Sequence, residues 1–359
     1  MKLHLEDLED LGRGAAFLGT GGGGDPYIGR MLATHAIREF GMPELIDVDS
    51  LDDDAFVCTV AMLGAPTVLA EKAACGEDAD RVISLMERYH RRKIDAIVPV
   101  EIGGLNSMIP IMAGARLGLP VVDADGMGRA FPEIQMVSFN IHGVSCTPVV
   151  MLDEHLNSVV IETGTAKRAE ELARVASIEM GCSVLVSLYS MSGLQLKQSA
   201  VRGTLTSALE IGRSIAAGRR TSDPVGSLVR FLNSSPHYGK CAEVFAGKVV
   251  DLRRETTKGF SMGHCTLEAL DRSRRSMEVL FQNEHLVARE NGRVKVIVPD
   301  LICMVDSESL EPAPVETLKY GQRLRVLGLR APDILRTPAA LAVLGPQAFG
   351  LSEPYQALS

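Results

Sequence analysis

The 359-residue sequence contains no tryptophan, has only 4% aromatic residues, and places none of its seven cysteines in a C-x-x-C pair. Few aromatic rings and a net charge of −8 argue against nucleic acid or an anionic membrane as the main partner. An odd number of scattered cysteines argues against a disulfide framework or a zinc ribbon. We therefore predict a cytoplasmic protein that binds neither nucleic acid nor a membrane.

Long hydrophobic runs are also missing. No apolar stretch reaches the roughly 20 residues that a membrane helix needs, and no basic segment precedes an apolar run at the N-terminus, so we expect no membrane or targeting segment. Hydrophobic residues still make up 46% of the chain, enough to bury a sizeable core. At about 100–200 residues per domain, the length predicts two domains.

Strands and helices alternate in the first half of the sequence. Hydrophobic spacing predicts helices at 3–18, 26–40, 77–90 and 106–117, and strands at 55–63, 94–100 and 119–122. Continuous apolar strands alternating with helices are typical of a parallel sheet covered on both faces. We predict an N-terminal three-layer α/β domain over residues 1–165, with a mostly parallel sheet.

The pattern changes after about residue 165. Helices are predicted at 165–180 and 199–217, a strand at 182–189, and short β runs at 243–252, 277–282, 285–290, 294–298 and 324–327. Asn291-Gly292 between two of these runs is a two-residue hairpin signal. We predict a C-terminal α+β domain over residues 166–359, with an antiparallel region near its end.

A glycine-rich run separates the first two predicted helices, and Asp25-Pro26 begins the second of them. Backbone without side chains at a helix N-terminus can hold an anion or let a substrate approach closely. We predict substrate contacts from Gly21, Gly22, Gly23, Gly24 and Asp25. No Lys-Ser/Thr follows and no strand precedes, so the run is neither a P-loop nor a dinucleotide fingerprint. A flexible linker is the alternative.

Glu101 stands where a predicted buried strand ends, and Gly103, Gly104 and Asn106 follow it. In parallel α/β sheets, ligands bind at the carboxyl ends of the strands. We therefore predict that Glu101 is catalytic and that the two glycines and Asn106 contact the substrate. An exposed Glu in an ordinary turn is the alternative.

Asp123 and Asp125 follow the next predicted strand, and His142 and Cys146 lie further along the chain. Two carboxylates spaced in this way suit a metal ion or acid–base chemistry, while a helix cap and an Asp-Gly turn fit the same residues. His142 could join a metal site, although a structural histidine fits equally well. The segment Gly263-His264-Cys265 is more simply a strand.

Several motifs in one order carry a resemblance to a known family: LGTGGGGDPYIG, VPVEIGGLNS, LGLPVVDADGMGRAFPEIQM, FQNEHL, VPDLICMVD, YGQRLRVLG and LGPQAFG. With them, the chain resembles the S-methyl thiohydantoin desulfurase-like family, whose members occur beside or fused to hydantoinase or oxoprolinase proteins. The resemblance implies a cytoplasmic two-domain protein whose C-terminal part contains a swivelling-type β/β/α unit. It also implies metal-dependent removal of sulfur from thiohydantoin rings.

We therefore expect a hydrolase in which a divalent metal, Zn²⁺, activates water to attack the C–S carbon of a small thiohydantoin- or hydantoin-like ring. Asp123, Asp125 and His142 are the predicted metal ligands, and Glu101 and Asp125 the predicted catalytic residues. A nucleotide- or phosphate-binding partner subunit of a hydantoinase-type system is the alternative, weakened by the missing phosphate-loop lysine. A non-catalytic assembly subunit is a third hypothesis. We also expect a homo-oligomer and a hydantoinase-type protein partner.

Overall fold

The structure is a computed structural model that describes residues 3–64, 68, 72, 76–257, 260–271 and 273–358. Cys75 and the outermost residues of the two predicted domains (1, 2 and 359) lie outside this range. None of the helices in the described part of the chain combines the length and hydropathy needed to cross a membrane.

Ten α-helices are named here, counted over the described residues. Their bounds are α1 Asp7–Leu18, α2 Pro26–Phe40, α3 Glu77–His90, α4 Ile109–Leu117, α5 Ser138–Ile141, α6 Ala166–Glu179, α7 Gly193–Ser199, α8 Thr204–Gly218, α9 Pro224–Ser234 and α10 Pro338–Leu344. The predicted helices at 26–40 and 77–90 are confirmed at both ends. Asp25 caps α2 by accepting the Tyr27 N–H at 2.8 Å, as a helix-capping aspartate does.

The strands form two large sheets and one short pair. Their bounds are β1 Leu45–Ile46, β2 Phe56–Gly64, β3 Ala96–Val98, β4 Val121–Val122, β5 Ala124–Asp125, β6 Val149–Leu152, β7 Ser158–Ile161, β8 Ser183–Ser192, β9 Val201–Arg202, β10 Cys241–Thr257, β11 Phe260–Ala269, β12 Ser276–Gln282, β13 Glu284–Glu290, β14 Arg293–Ile297, β15 Leu301–Asp306 and β16 Arg323–Leu329. Strands β5 and β9 form the short pair.

The first sheet has the order β1-β4-β3-β2-β8-β6-β7. Strands β1, β4, β3 and β2 run parallel, and the pairs β2–β8, β8–β6 and β6–β7 are antiparallel. The predicted α/β class is confirmed, but this sheet is mixed. The hairpin of β6 and β7 and the insertion of β8 beside β2 account for its antiparallel half. A strand from beyond residue 165 thus lies inside the first sheet, next to its central strand β2.

The second sheet is antiparallel, in the order β14-β13-β12-β11-β10-β16-β15. It curls, because β13 and β14 also contact β15 at its other end. Both Asn291 and Gly292 have positive φ angles, 47° and 79°, between β13 and β14. This is the backbone of a two-residue hairpin turn, so the hairpin predicted at these residues is confirmed.

One predicted helix is divided in the structure. A single helix was predicted at 199–217. In the structure residues 200–203 are not helical, and strand β9 lies there between α7 and α8. Gly203 has a φ angle of +66°, which a continuous helix does not allow. The hydrophobic spacing was right for α8 but did not show where that helix begins.

The glycine-rich run lies between the two sheets. The Thr20 hydroxyl donates to the Ile302 carbonyl of β15 at 3.0 Å, and the His285 N–H donates to the Thr20 carbonyl at 2.8 Å. The Val315 N–H donates to the Gly21 carbonyl at 2.8 Å. Backbone from both halves of the chain therefore surrounds the predicted ligand loop.

Candidate functional site

A cavity of about 100 Å³ lies where the glycine-rich run, the end of β3 and the turn before β13 meet. Gly23 and Gly24 form part of its wall. Its polar lining residues are Glu101, Asn106, Arg174, Asn283, Glu284 and Glu316. The first two precede the predicted domain boundary at residue 165 and the other four follow it, so both predicted domains contribute to the cavity.

Glu101 lines this cavity and has one carboxylate oxygen without a hydrogen-bond partner among the described residues. Its side chain is 7% exposed, and Asn106 donates from Nδ2 to Oε1 at 2.7 Å. Among the described residues, Oε2 has no hydrogen-bond partner. Burial raises the pKa of Glu101 to about 7, against the opposing effect of the Asn106 hydrogen bond. Glu101 therefore exchanges a proton near neutral pH, as a general base requires.

Asn106 is itself held in place by the backbone of β2. The Met62 N–H donates to Asn106 Oδ1 at 2.8 Å, and Asn106 Nδ2 donates to the Met62 carbonyl at 3.1 Å. These two contacts fix which end of the amide faces Glu101. Asn106 is thus placed to orient the Glu101 carboxylate.

Glu284 supplies a second carboxyl group from the opposite wall. It follows Asn283, whose φ angle of +58° makes the tight turn between β12 and β13. Glu284 is 2% exposed, and its Oε2 has no hydrogen-bond partner in the described part of the chain. Burial and the nearby Glu101 charge raise the pKa of Glu284 well above its usual value, although Arg129 opposes this. These surroundings favour the protonated form of Glu284.

Arg129 is fully buried, its charge opposes the raised pKa of Glu284, and its donors are used by backbone carbonyls. It donates to the carbonyls of Ala130 at 3.0 Å, Pro299 at 2.9 Å and Asp300 at 3.1 Å. A further contact joins Nη2 to the His285 carbonyl at 3.4 Å. Its guanidinium thus ties the loop after β5 to the second sheet.

Two glycines of the run let β13 side chains approach the loop. A Cβ atom on Gly22 would lie 2.1 Å from Glu284 Oε1, and one on Gly21 would lie 2.6 Å from the His285 ring. His285 donates from Nδ1 to the Ile302 carbonyl at 2.8 Å, and burial lowers the pKa of its imidazole to about 4. Gly21 and Gly22 therefore make room for a neutral histidine and for Glu284.

The other two glycines let two loops touch through their backbones. Gly23 has a φ angle of +81°, and a Cβ atom there would lie 2.7 Å from the Gly103 carbonyl oxygen. A Cβ atom on Gly104 would lie 2.2 Å from the Gly23 carbonyl oxygen. In the described chain, the N–H groups of Gly23 and Gly24 donate no hydrogen bond, so they are available to a ligand. Backbone contacts this close disfavour the flexible-linker alternative.

Asp125 is completely buried, but its oxygens are used by the backbone. Oδ2 accepts from the N–H groups of Ile102 and Gly128, each at 2.8 Å, and from the Met127 N–H at 3.2 Å. Burial raises the pKa of Asp125 to about 8, against these hydrogen bonds. Asp125 joins the segment after Glu101 to the following loop, which gives it a positioning role.

Asp123 caps helix α8. Its carboxylate accepts from the N–H of Leu205 at 2.9 Å, from the N–H of Thr206 at 3.1 Å and from the Thr206 hydroxyl. Asp25 similarly caps α2, and it also lines a larger groove next to the cavity. Asp123 thus caps a helix from a distant part of the chain, whereas the alternative considered for the aspartate pair was a cap within the local sequence.

Replacing the cap tests this role. Asp123→Ala should lower the free energy of unfolding by about 1–2 kcal/mol, because two N–H groups at the start of α8 lose their acceptor. Urea unfolding measures the loss, and Asp333→Ala, at an exposed aspartate, is the control. An unchanged unfolding midpoint would contradict the capping role.

The three predicted metal ligands are not brought together. Asp123 and Asp125 are occupied by different backbone segments, and His142 is exposed while Asp125 has no exposed surface. No group of three or more His, Cys, Asp or Glu side chains in the described ranges could hold a metal ion. The residues proposed for Zn²⁺ therefore do not fit it.

The two cysteine-containing segments also have structural explanations. Cys146 is buried, and its burial raises the pKa of the thiol to about 11, which disfavours a reactive thiolate. His264 and Cys265 lie in strand β11, as the simpler interpretation predicted, and His264 Nε2 contacts Asp251 Oδ2 at 2.9 Å.

Sequence reasoning missed the contribution of the C-terminal half. Glu284 and His285 lie in the FQNEHL motif, which contributed to the family resemblance but received no functional role. In the N-terminal part, Arg129 lies in the same quoted motif as Asp123 and Asp125 and was also given no functional role. The signal that marks these residues is an ionisable side chain buried beside a turn between strands. The sequence shows the ionisable residue, but only the folded chain shows that it is buried.

Comparisons with known proteins cover both halves of the chain. The family model described as "S-Me-THD-like, N-terminal domain" matches residues 6–163, and the one described as "S-Me-THD-like, C-terminal domain" matches residues 164–358. A crystal structure of a protein from Chromobacterium violaceum is 25% identical, covers 99% of each chain and has a TM-score of 0.81. No curated protein matches the chain.

Proposed function

The chain belongs to the S-Me-THD-like family, and we propose that it is a hydrolase that removes the alkylthio group from a small S-alkyl thiohydantoin ring. The observation that carries the proposal is the pair Glu101 and Glu284, two buried carboxyl groups with an unpartnered oxygen each in one cavity. Burial raises the pKa of both groups, and the charge of Glu101 raises that of Glu284 further, so we assign Glu101 as the base and Glu284 as the acid.

In the first step, Glu101 takes a proton from a water molecule as the water oxygen forms a bond to the ring carbon that carries sulfur. The electron pair of the carbon–nitrogen double bond moves to the ring nitrogen, which takes the proton of Glu284. The product of this step is a tetrahedral carbon that bears a hydroxyl group, the alkylthio group and the ring N–H. Asn106 keeps Glu101 oriented throughout.

In the second step, the carbon–oxygen double bond forms and the carbon–sulfur bond breaks. The hydroxyl proton passes to the Glu284 carboxylate, and the thiolate takes the proton held by Glu101. The products are a hydantoin and a thiol, and both carboxyl groups return to their starting states. The N–H groups of Gly23 and Gly24 bind the other ring carbonyl.

The nucleotide-binding alternative, the expected Zn²⁺ ion and the expected partners are considered in turn. Arg174 is the one cation among the described lining residues of the cavity, and it already pairs with Glu170, so the lining offers no free cation for the phosphate group that the nucleotide-binding alternative requires. No step is assigned to Zn²⁺, because the side chains proposed as its ligands are used elsewhere. The homo-oligomer and the hydantoinase-type partner stay predictions.

Thiol release tests the proposal directly. Purified protein incubated with S-methyl thiohydantoin should release methanethiol and form hydantoin in equal amounts. In H₂¹⁸O, the hydantoin should carry one ¹⁸O atom, because the new carbonyl oxygen comes from water. Parallel reactions with added Zn²⁺ and with a chelator test the metal expectation separately. Absence of thiol release under all of these conditions would overturn the proposed function.

A further inference from the structure

A second, larger space adjoins the cavity. It is a groove of about 560 Å³ between α1, α2 and the segment 311–317, here called the α1–α2 groove. Glu316 lines both the groove and the cavity, and the neighbours Gly24 and Asp25 line the cavity and the groove respectively. Glu316 therefore belongs to the walls of both spaces, and the chain passes from the cavity to the groove between Gly24 and Asp25.

Size argues that the two spaces serve one ligand. Clefts that bind organic ligands usually measure about 300–1,000 Å³. The cavity, at about 100 Å³, is below this range, and the groove lies within it. We consider a five-membered ring whose reacting edge lies at Glu101 and Glu284. A bulky substituent on its far edge would pass Glu316, the described residue that lines both spaces, and enter the groove.

The groove surface favours an apolar group. Pro26, Pro312 and Pro314 form rigid walls, and small residues of α1, Gly12 and Ala16, leave space between them. Tyr27 adds an aromatic ring that is 55% exposed. Such walls lose little conformational freedom when an apolar group packs against them.

The charged residues around the groove are already neutralised or have the wrong sign for an anion. Arg13 pairs with Glu311 at 3.3 Å and also with Glu9 at 3.0 Å. The Arg30 guanidinium lies 5.3 Å from the centre of the Tyr27 ring. At the junction with the cavity, Asp25 and Glu316 would repel an anionic substituent.

We propose that the α1–α2 groove is a substituent subsite: it binds an uncharged alkyl or aryl group carried by the ring whose reacting atoms lie in the cavity. This inference rests on the proposed function for the identity of the ring. It makes the groove the determinant of which ring the enzyme prefers. Its chemistry predicts that a ring with an apolar C5 substituent is a better substrate than the unsubstituted ring.

Filling the groove tests the inference. Ala16→Leu places a larger side chain in the groove, while Ala217→Leu makes the same change at an exposed position of α8. Wild-type protein and the Ala217→Leu control should show a kcat/KM about 10-fold or more higher for 5-benzyl S-methyl thiohydantoin than for the unsubstituted ring. Ala16→Leu should lose this preference and retain its activity on the unsubstituted ring.

Calorimetric binding of hydantoin and 5-benzylhydantoin separates this inference from the proposed function. If wild-type protein binds the benzyl compound more tightly and Ala16→Leu loses that difference without any turnover, the subsite stands and the proposed function fails. If thiol is released but both rings are used equally, the subsite is overturned while the function stands. Failure of wild-type protein to bind either hydantoin, or equal binding by wild type and Ala16→Leu, also overturns the subsite.

Discussion

Glu101→Gln should lower kcat for thiol release by about 10³-fold, within the usual contribution of a general base. The amide has the size of the carboxylate and can still accept the Asn106 hydrogen bond, but it cannot take a proton from water. Steady-state thiol release measures the effect, and Glu179→Gln, at an exposed residue of α6, is the matched control. Retention of more than a tenth of the wild-type kcat would exclude Glu101 as the base.

The pH dependence gives a second measure of the same group. Burial raises the pKa of Glu101 from 4.5 to about 7, so the basic form accumulates above neutrality. The wild-type kcat/KM should rise with pH until about 7 and then level off. A rate that falls through this range would assign Glu101 the opposite role, that of the acid.

As pH rises towards 7, the contribution of Glu101 to the free energy of unfolding should fall while kcat/KM rises. Because the pKa of Glu101 is higher in the folded state, folding favours the protonated form, and its contribution to stability is lost as pH rises from 4.5 to about 7. Glu101→Gln removes this loss. The free energy of unfolding of the variant minus that of wild type should therefore be larger at pH 8 than at pH 5. Urea unfolding of both proteins at both pH values measures this difference.

Arg129→Met should lower the free energy of unfolding by about 3–5 kcal/mol, the range observed when one partner of a buried charged network is removed. Methionine fills much of the volume but leaves the carbonyls of Pro299 and Asp300 without their donor. It also removes the positive charge that opposes the raised pKa of Glu284. The change should therefore weaken the contact between the loop after β5 and the second sheet.

Urea unfolding of Arg129→Met beside Arg168→Met isolates this effect, because Arg168 is an exposed residue of α6. Arg129→Lys, which keeps the charge but has fewer donors, should lie between wild type and Arg129→Met. A loss below about 1 kcal/mol for Arg129→Met would show that its buried hydrogen bonds contribute no more than a surface interaction does.

Local chemistry made several elements predictable. Asp25 followed by Pro26 predicts the start of α2, because an aspartate cap and a proline in the first turn both satisfy the helix N-terminus. Asn291-Gly292 predicts its hairpin because both residues tolerate positive φ angles. These predictions depend on interactions within a few residues, which a sequence contains in full.

The pairing of strands that lie far apart in the chain was harder to predict from the sequence. The insertion of β8 beside β2 pairs residues that are 119 to 136 positions apart, and the apolar pattern of neither strand identifies its neighbour. The same limit applies to Asp123, whose spacing from Asp125 suited a metal pair. Its acceptor role became visible only when α8 was placed against it.

For the candidate site, the sequence by itself determined that Glu101 and Asn106 follow a buried strand of an α/β fold and that the glycine-rich run precedes a capped helix; it predicted that these loops face a ligand. The tertiary structure alone brought Glu284 and Arg129 to the same place and left Asp123 and His142 outside it. The physical reason is that a carboxyl group's reactivity depends on burial and neighbouring charge. Both are properties of surroundings that the folded chain assembles from distant residues.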